Sequence, residues 1–337
     1  MNFTGQRSSF LAFAAALALT LGMAGLVNYL IDPLWFRTGN QLTGRNFAFN
    51  ERISKINFLR RTDLKQYDCL ILGSSRVVTL RPSRFEGERC YNLALKGAEV
   101  PEILAYARYA LQLGLDPKVV YVGIDDFNFI HKKETERRSH PIIESTPDFL
   151  HAYFSIDVLT FSLMTLGNVS PDPDNYYDKN FEMREFRKPH WKPELYDPAD
   201  AQCDETKVQS FAQLRKIFPH AKLIGFTPPM APARQISEIY KRGVLDCELD
   251  ALYEVAKYFD AFFDFDIPSP LTLDSSNTVD GAHFTPSSND WIADELQERR
   301  SDLALNTKSF ESALSYREEV RKRLKAYLAS INRLDMW

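Results

Sequence analysis

The sequence predicts an α/β fold in which a parallel sheet carries helices on both of its faces. Three observations predict it. Short apolar runs end in glycine, proline or polar residues, the segments between them repeat apolar residues at helical spacing, and the two kinds alternate along the chain. Cys69-Leu70-Ile71-Leu72, ending at Gly73, reads as a first buried strand. Cys90 to Leu95 reads as a second. Pro101 suits the first turn of a helix running to about Leu113, whose Ile103, Leu104, Ala107 and Leu111 share one face. Pro117 breaks the chain, and Val119 to Val122 form a third strand. Further on, Val208 to Phe218 reads as a helix and Lys222 to Phe226 as a strand. Arg234 to Phe259 reads as one helix or two, and Ala261 to Phe265 as the last strand. Thr285 caps a helix that Pro286 begins. Lys308 to Asn332 is highly charged and reads as helical, giving residues 301–337 as a charged C-terminal helix.

Two segments break this rhythm. After a short tail, residues 1–9, the stretch Phe10 to Ile31 holds no charged side chain and is long enough to cross a bilayer, which takes about 20 apolar residues. A cleaved signal peptide with Gly22-Met23-Ala24 at its site is one reading. A retained anchor is favoured, because the apolar run continues past Ala24 to Leu30 before Asp32-Pro33 ends it. Arg7 before the span and Arg37 and Arg45 after it barely decide its orientation. Residues 32–66 read as a juxtamembrane connector. Residues 127–205, rich in aromatics, prolines and charges and with an apolar stretch from Phe149 to Leu166, are too long for a plain loop and read as an insertion or cap.

Composition narrows the function classes. A net charge of −4 with mixed signs and no basic stripe sets nucleic acid aside as a partner. None of Cys69, Cys90, Cys203 and Cys247 forms a Cys-x-x-Cys pair, and the scattered histidines form no His-Glu-x-x-His, so no metal or cofactor is implied. Cys69 and Cys90 lie in strand-like runs, where buried free thiols are expected. Cys203 with Cys247 is a weaker candidate disulfide, open to a chain outside the cytoplasm. Asp172, Asp174, Asp178, Asn180 and Glu182 hint at calcium but lack the glycine and spacing of an EF-hand, so a solvated acidic loop is favoured. Tyr176, Tyr177, Trp191 and Tyr196 could stack on sugar rings or simply pack a cap; packing is favoured.

Ligands of parallel sheets bind beyond the carboxyl ends of the strands, so the residues after each strand carry the chemistry. After the first come Gly73-Ser74-Ser75-Arg76. A serine in a tight strand-to-helix turn is exposed, and a helix N-terminus behind it favours developing negative charge. After the second come Asn92 to Gly97, where Gly97 can offer a backbone N–H to an oxyanion. After the last come Asp280-Gly281-Ala282-His283, a base and its orienting carboxylate three residues apart.

In this order, the three fragments resemble the blocks of the SGNH (GDSL-like) hydrolase superfamily, with Gly-Ser-Ser where Gly-Asp-Ser is usual. The resemblance covers about residues 66–300 without the insertion, with the domain itself placed at 67–300. It implies a flavodoxin-like three-layer α/β/α fold, a Ser75-His283-Asp280 triad, and an oxyanion hole from the N–H groups of Ser75 and Gly97. The family's third block usually supplies an Asn donor, but here Gly123-Ile124-Asp125-Asp126 places Asp125 there. An ionised carboxylate only accepts. Either Asp125 is protonated, or it turns away to pair with Arg76, or the hole keeps two donors. Arg76 and Trp191 are further candidates for substrate contact. Anchored members with Gly-Ser-Ser are similar to proteins that acylate cell-surface polymers, such as those of alginate and cellulose O-acetylation and teichoic acid D-alanylation. That likeness implies a single-pass protein of the bacterial inner membrane with a periplasmic domain. It also implies an acetyltransferase or esterase acting on an exopolysaccharide or other cell-envelope glycan, or a non-catalytic scaffold, beside a membrane-bound O-acyltransferase.

Overall fold

Short strands with apolar side chains on both faces are stable only as the middle of a sheet covered on both sides. The structure, a computed structural model that describes residues 3–131, 149–171, 175–185, 189–300 and 302–337, pairs the five predicted or neighbouring runs in parallel. They are β1 (Cys69–Leu72), β2 (Cys90–Asn92), β3 (Val119–Gly123), β4 (Lys222–Thr227) and β5 (Ala261–Asp264). A sixth strand, β6 (Leu305–Asn306), runs antiparallel beside β5. The sheet order is β2-β1-β3-β4-β5-β6. Cys69 stands opposite both Cys90 and Val119, and Val120 opposite Leu223, which fixes the register of the centre. Chain order reverses at β1, so the crevice beyond β1 and its neighbours is the topological switch point where ligands of doubly wound sheets bind. The expected parallel sheet thus gains one antiparallel strand at its edge. A two-residue strand carries no periodicity that sequence could reveal.

The helices used below are α1 (Phe3–Ile31), α2 (Glu51–Arg61), α3 (Val100–Gln112), α4 (Phe149–Tyr153), α5 (Ile156–Leu166), α6 (Val208–Ile217), α7 (Leu245–Ala256), α8 (Pro286–Glu298) and α9 (Ala313–Ser330). The chain divides into two compact units, residues 1–62 with 142–181 and residues 63–141 with 182–337. The second unit holds the sheet. There α3, α6, α7 and α9 pack side by side in that order, and α8 packs on Pro82–Arg84. The helix expected over 301–337 is α9 alone; β6 and a single turn, Thr307–Ser309, precede it. Arg234 to Phe259 holds two helical stretches, the second being α7.

The cysteines correct an expectation. Cys69 and Cys90 are a disulfide, not free thiols, because adjacent parallel strands set them opposite each other with Cα atoms 4.1 Å apart. Cys203 and Cys247 are also bonded.

The first unit contains residues 32–62 of the segment expected as a connector. Asp32 ends α1 by accepting the N–H groups of Phe36, Arg37 and Gly39 at 2.7–2.9 Å. Trp35 is buried against the rings of Phe58 and Phe181, and Asn46 bridges to Tyr177. The helix α2, capped by Asn50, buries Lys55 and Glu51 as an ion pair. A helix that buries its charges in pairs shows no apolar stripe, so no hydrophobic periodicity marks it. Among the acidic residues weighed for calcium, Asp172 and Asp174 lie outside the described residues. Glu182 is occupied by Ser83 and Arg184.

Candidate active site

Ser75, Gly97, Asp125, Asp280 and His283 all follow carboxyl ends of strands of the second unit. Residues 75–79 form successive turns rather than a helix, and the first helical turn is Pro82–Arg84. The helix N-terminus expected behind Ser75 is therefore absent from the described residues, and no helix dipole acts there. Packing and side-chain hydrogen bonds hold the turn instead. Val77 lies so close over β3 that a Cβ on Gly123 would sit 2.3 Å from its methyl group. Asn92 donates to the carbonyls of Val77 and Leu80 at 2.9 and 2.8 Å and accepts from the N–H of Ala94.

The loop after β5 is equally fixed. Thr278 bridges to Phe284, Thr278 Oγ1 donates to the His283 carbonyl at 3.0 Å, and the N–H of Gly281 donates to Thr278 Oγ1 at 2.9 Å. Gly281 has φ +89, and a Cβ there would stand 2.7 Å from the Trp191 ring, so both conformation and space require glycine. Thr79 Oγ1 donates to the Phe284 carbonyl and accepts from Asn289, tying the serine turn to the histidine loop.

These supports bring together residues separated by 208 positions in sequence: Ser75 Oγ lies 2.9 Å from His283 Nε2. His283 Nδ1 lies 2.9 Å from Asp280 Oδ2. Asp280 Oδ1 accepts the N–H groups of Ala282 and His283 at 2.9 and 2.8 Å. Burial works against ionisation of Asp280, but the hydrogen bond and charge of His283, with those two N–H groups, outweigh it and hold the carboxyl well below its usual range. An ionised carboxylate only accepts, so Nδ1 carries the proton and Nε2 is left to accept from the Ser75 hydroxyl. That is the protonation a general base needs. The N–H groups of Ser75 and Gly97 have no hydrogen-bond partner among the described residues, and Gly97 is exposed with φ +68.

Asp125 lies beside Arg76. Fully buried, it lies 3.4 Å from Arg76 Nη1. Burial raises its pKa, against the pull of Arg76. Arg76, a candidate for substrate contact, is instead buried behind the serine. It donates to Asp126 at 2.8 Å and to the Pro228 carbonyl at 2.5 Å. The physical reason is charge: one guanidinium serves Asp125, Asp126, Asp266 and Glu248 together.

Asp266 and Glu248 are the least satisfied members of this cluster. Among the described residues, both oxygens of Asp266 and Oε2 of Glu248 lack hydrogen-bond partners, and burial holds both carboxyls well above their usual range. Asp264, bonded to the Tyr316 hydroxyl at 2.7 Å, adds repulsion. Carboxyls raised on folding bind protons more tightly in the folded chain. Stability therefore falls as pH rises from about 4, the unfolded value, through the raised folded values. The urea midpoint of the detergent-solubilised chain is expected to be higher at about pH 5 than at about pH 7.5, and Asp266→Asn to flatten that slope. A midpoint that rises with pH over this range would contradict the cluster.

Beside the triad is a cavity of about 220 Å³ lined by Trp191, Lys192, Glu194, Tyr196, Arg234 and Asp280. Trp191, expected as a substrate contact, lines this cavity. Arg234 was missed: it donates to the Asp280 carbonyl at 2.6 Å and lies 3.3 Å from Asp280 Oδ2. It follows β4, so scanning that strand's end as the others were scanned would have found it.

No family model matches the chain, and no curated protein sequence matches it. Among solved structures, it is similar to a Bacteroides fragilis protein described as an acylhydrolase, at 16% identity over 70% of this chain and 90% of that one, with a TM-score of 0.34. It is also similar to a protein from Streptococcus pneumonia described as a platelet activating factor, at 12% identity over 84% and 98%, with a TM-score of 0.38. A GDSL-like lipase from Bacteroides thetaiotaomicron matches at 12% identity over 75% and 96%, with a TM-score of 0.38.

Proposed function

We propose that the second unit is an SGNH-type (GDSL-like) serine acyl-transfer domain, held at a membrane by α1 and acting outside the cytoplasm on a glycan hydroxyl. The Ser75–His283–Asp280 relay, 2.9 Å at each link, carries this reading. In the first half-reaction, Ser75 Oγ attacks the acyl carbon of an ester donor while His283 Nε2 takes its proton. The donor's alkoxide then leaves, receiving that proton from Nε2, and the acyl group remains as an ester on Ser75. In the second, Nε2 takes the proton of a glycan hydroxyl or of water. The new C–O bond forms, the Ser75 ester breaks, and Oγ regains a proton. The N–H groups of Ser75 and Gly97 would hold both oxyanions, with Asp125 committed to Arg76 and no third donor in its place. No cofactor takes part in these steps.

Trp191 and Tyr196 in the cavity suit a sugar ring, and Arg234 and Lys192 suit its acidic substituents. Two disulfides favour an oxidising compartment, hence a periplasmic domain on a single-pass protein of a bacterial inner membrane. A multispanning membrane-bound O-acyltransferase would supply the acetyl donor for an exopolysaccharide or other envelope polymer.

A fluorophosphonate probe tests the reading. The purified full chain is expected to gain one covalent adduct, mapped by mass spectrometry to Ser75. The place of Asp125 favours a second reading, a non-catalytic scaffold for the same acyltransferase. A folded chain that never labels would select it.

A further inference from the structure

The first unit has an inverted polarity. On α5, Val158, Ser162 and Thr165 face inward and are buried, whereas Ile156 and Leu163 are 80% and 56% exposed. What the inward face meets is also small or polar. Buried Asn28 of α1 donates to the Tyr153 carbonyl at 2.8 Å and accepts from Ser162 Oγ at 2.9 Å. Gly25 of α1 gives room to the Phe154 ring, which a Cβ there would meet at 3.0 Å. Apart from Val158, α5 thus turns small or polar side chains toward α1, while its outer face carries apolar side chains beside the exposed Asp157 and Thr160. Water selects the reverse arrangement; a lipid surround selects this one.

Three further observations specify the occupant of that outer face. Asp157 is the only Asp, Glu, Lys or Arg in residues 149–171. The exposed Leu150, Phe154 and Leu166 extend the exposed apolar surface of α1 itself, which Leu26 and Leu30 carry. The depth is also set. Gly25 and Asn28 precede Ile31 by six and three residues, or about 9 and 4.5 Å along the helix. Just beyond them, Tyr29 packs on Tyr153 at 5.6 Å, and Arg37 covers the Tyr29 ring at 3.9 Å. Aromatic rings and arginines mark the boundary between acyl chains and headgroups.

From the inverted polarity of α4–α5 and its docking on the last turns of α1, we infer that this helical pair is a second membrane element. It lies in the leaflet at the C-terminal end of α1, with its apolar face about 5–10 Å into the acyl region. The inference goes beyond acyl transfer and rests only on α1 crossing a bilayer. A hydrophobic span pinned by a second buried element has a fixed rotation and tilt, which a lone helix lacks.

The test uses the full chain in phosphatidylcholine vesicles, with an environment-sensitive fluorophore on a cysteine introduced by Leu163→Cys. Leu17→Cys serves as the reference within α1 and Gln41→Cys as the water reference. Leu163 and Gln41 are exposed, so neither label disturbs packing. The Leu163 label is expected to be quenched by lipids carrying a doxyl group near the head of the acyl chain, and to be as shielded from aqueous iodide as the Leu17 label. Iodide quenching equal to that at Gln41, with Leu17 protected, overturns this inference alone. Iodide access at Leu17 as well overturns the anchor with it. Protection from both quenchers would mean that protein, a second copy or a partner, covers the face, and would overturn the lipid assignment.

Discussion

Ser75→Ala is expected to lower turnover of an activated acyl ester by at least about 10⁴-fold, leaving the urea midpoint unchanged. Among the described residues the Ser75 side chain hydrogen-bonds only His283, so its loss removes little structure. Asp280→Asn is expected to cost a similar factor of about 10⁴, because an amide no longer holds the proton on Nδ1 and Nε2 ceases to be a base. The discriminating measurement is the double variant Ser75→Ala/His283→Ala. Residues that act as one unit do not add, so the double variant should be no slower than either single one. Single losses that multiply, or a Ser75→Ala variant with full activity, would sink the triad. With two backbone donors and no Asn, the wild-type rate itself is expected to be low, since one oxyanion donor is worth about 10²–10³ in rate.

Arg76→Met carries the largest expected effect on stability. Arg76 is buried and its guanidinium faces Asp125, Asp126, Asp266 and Glu248, so its removal leaves buried acids with no cation. Breaking a buried pair in this way costs about 3–5 kcal/mol. Two features separate this from ordinary packing loss. The destabilisation should shrink as pH falls, because protonated carboxyls need no partner. It should also be partly relieved by Asp126→Asn in the same chain, a coupling that a double-mutant cycle reads directly. An unchanged urea midpoint in Arg76→Met, or a loss independent of pH, would show that the cluster does not depend on the cation.

The two variants probe neighbouring residues that sequence treated unequally. The Ser75 fragment was legible because a serine in a turn after a strand has a recognisable setting, and Asp280 and His283 come as a block on one loop. Arg76, expected at the substrate, is buried against acidic residues. Its side chain goes where buried charge needs it, and that charge comes from Asp125 and Asp126 after β3, Glu248 on α7 and Asp266 after β5. No local pattern joins four such positions. The cavity was not legible as a whole, because it joins the segment Trp191–Tyr196 to Arg234 and Asp280, which are distant in sequence.

The sequence by itself determined the alternation of strands and helices, the places of the five central strands, the apolar span over Phe10–Ile31 and the three fragments that bear Ser75, Gly97 and the Asp280–His283 pair. These are short-range properties: burial leaves apolar runs, turns need glycine, and a base beside its carboxylate fits on one loop. Tertiary structure alone decided the antiparallel edge strand, the Cys69–Cys90 bond, the turns in place of a helix behind Ser75, the burial of Arg76 and the inverted polarity of α4–α5. Each of these depends on which distant segment lies opposite. Strand register sets the cysteines face to face, the summed charge of several loops draws Arg76 inward, and contact with α1 decides which face of α5 is left outside.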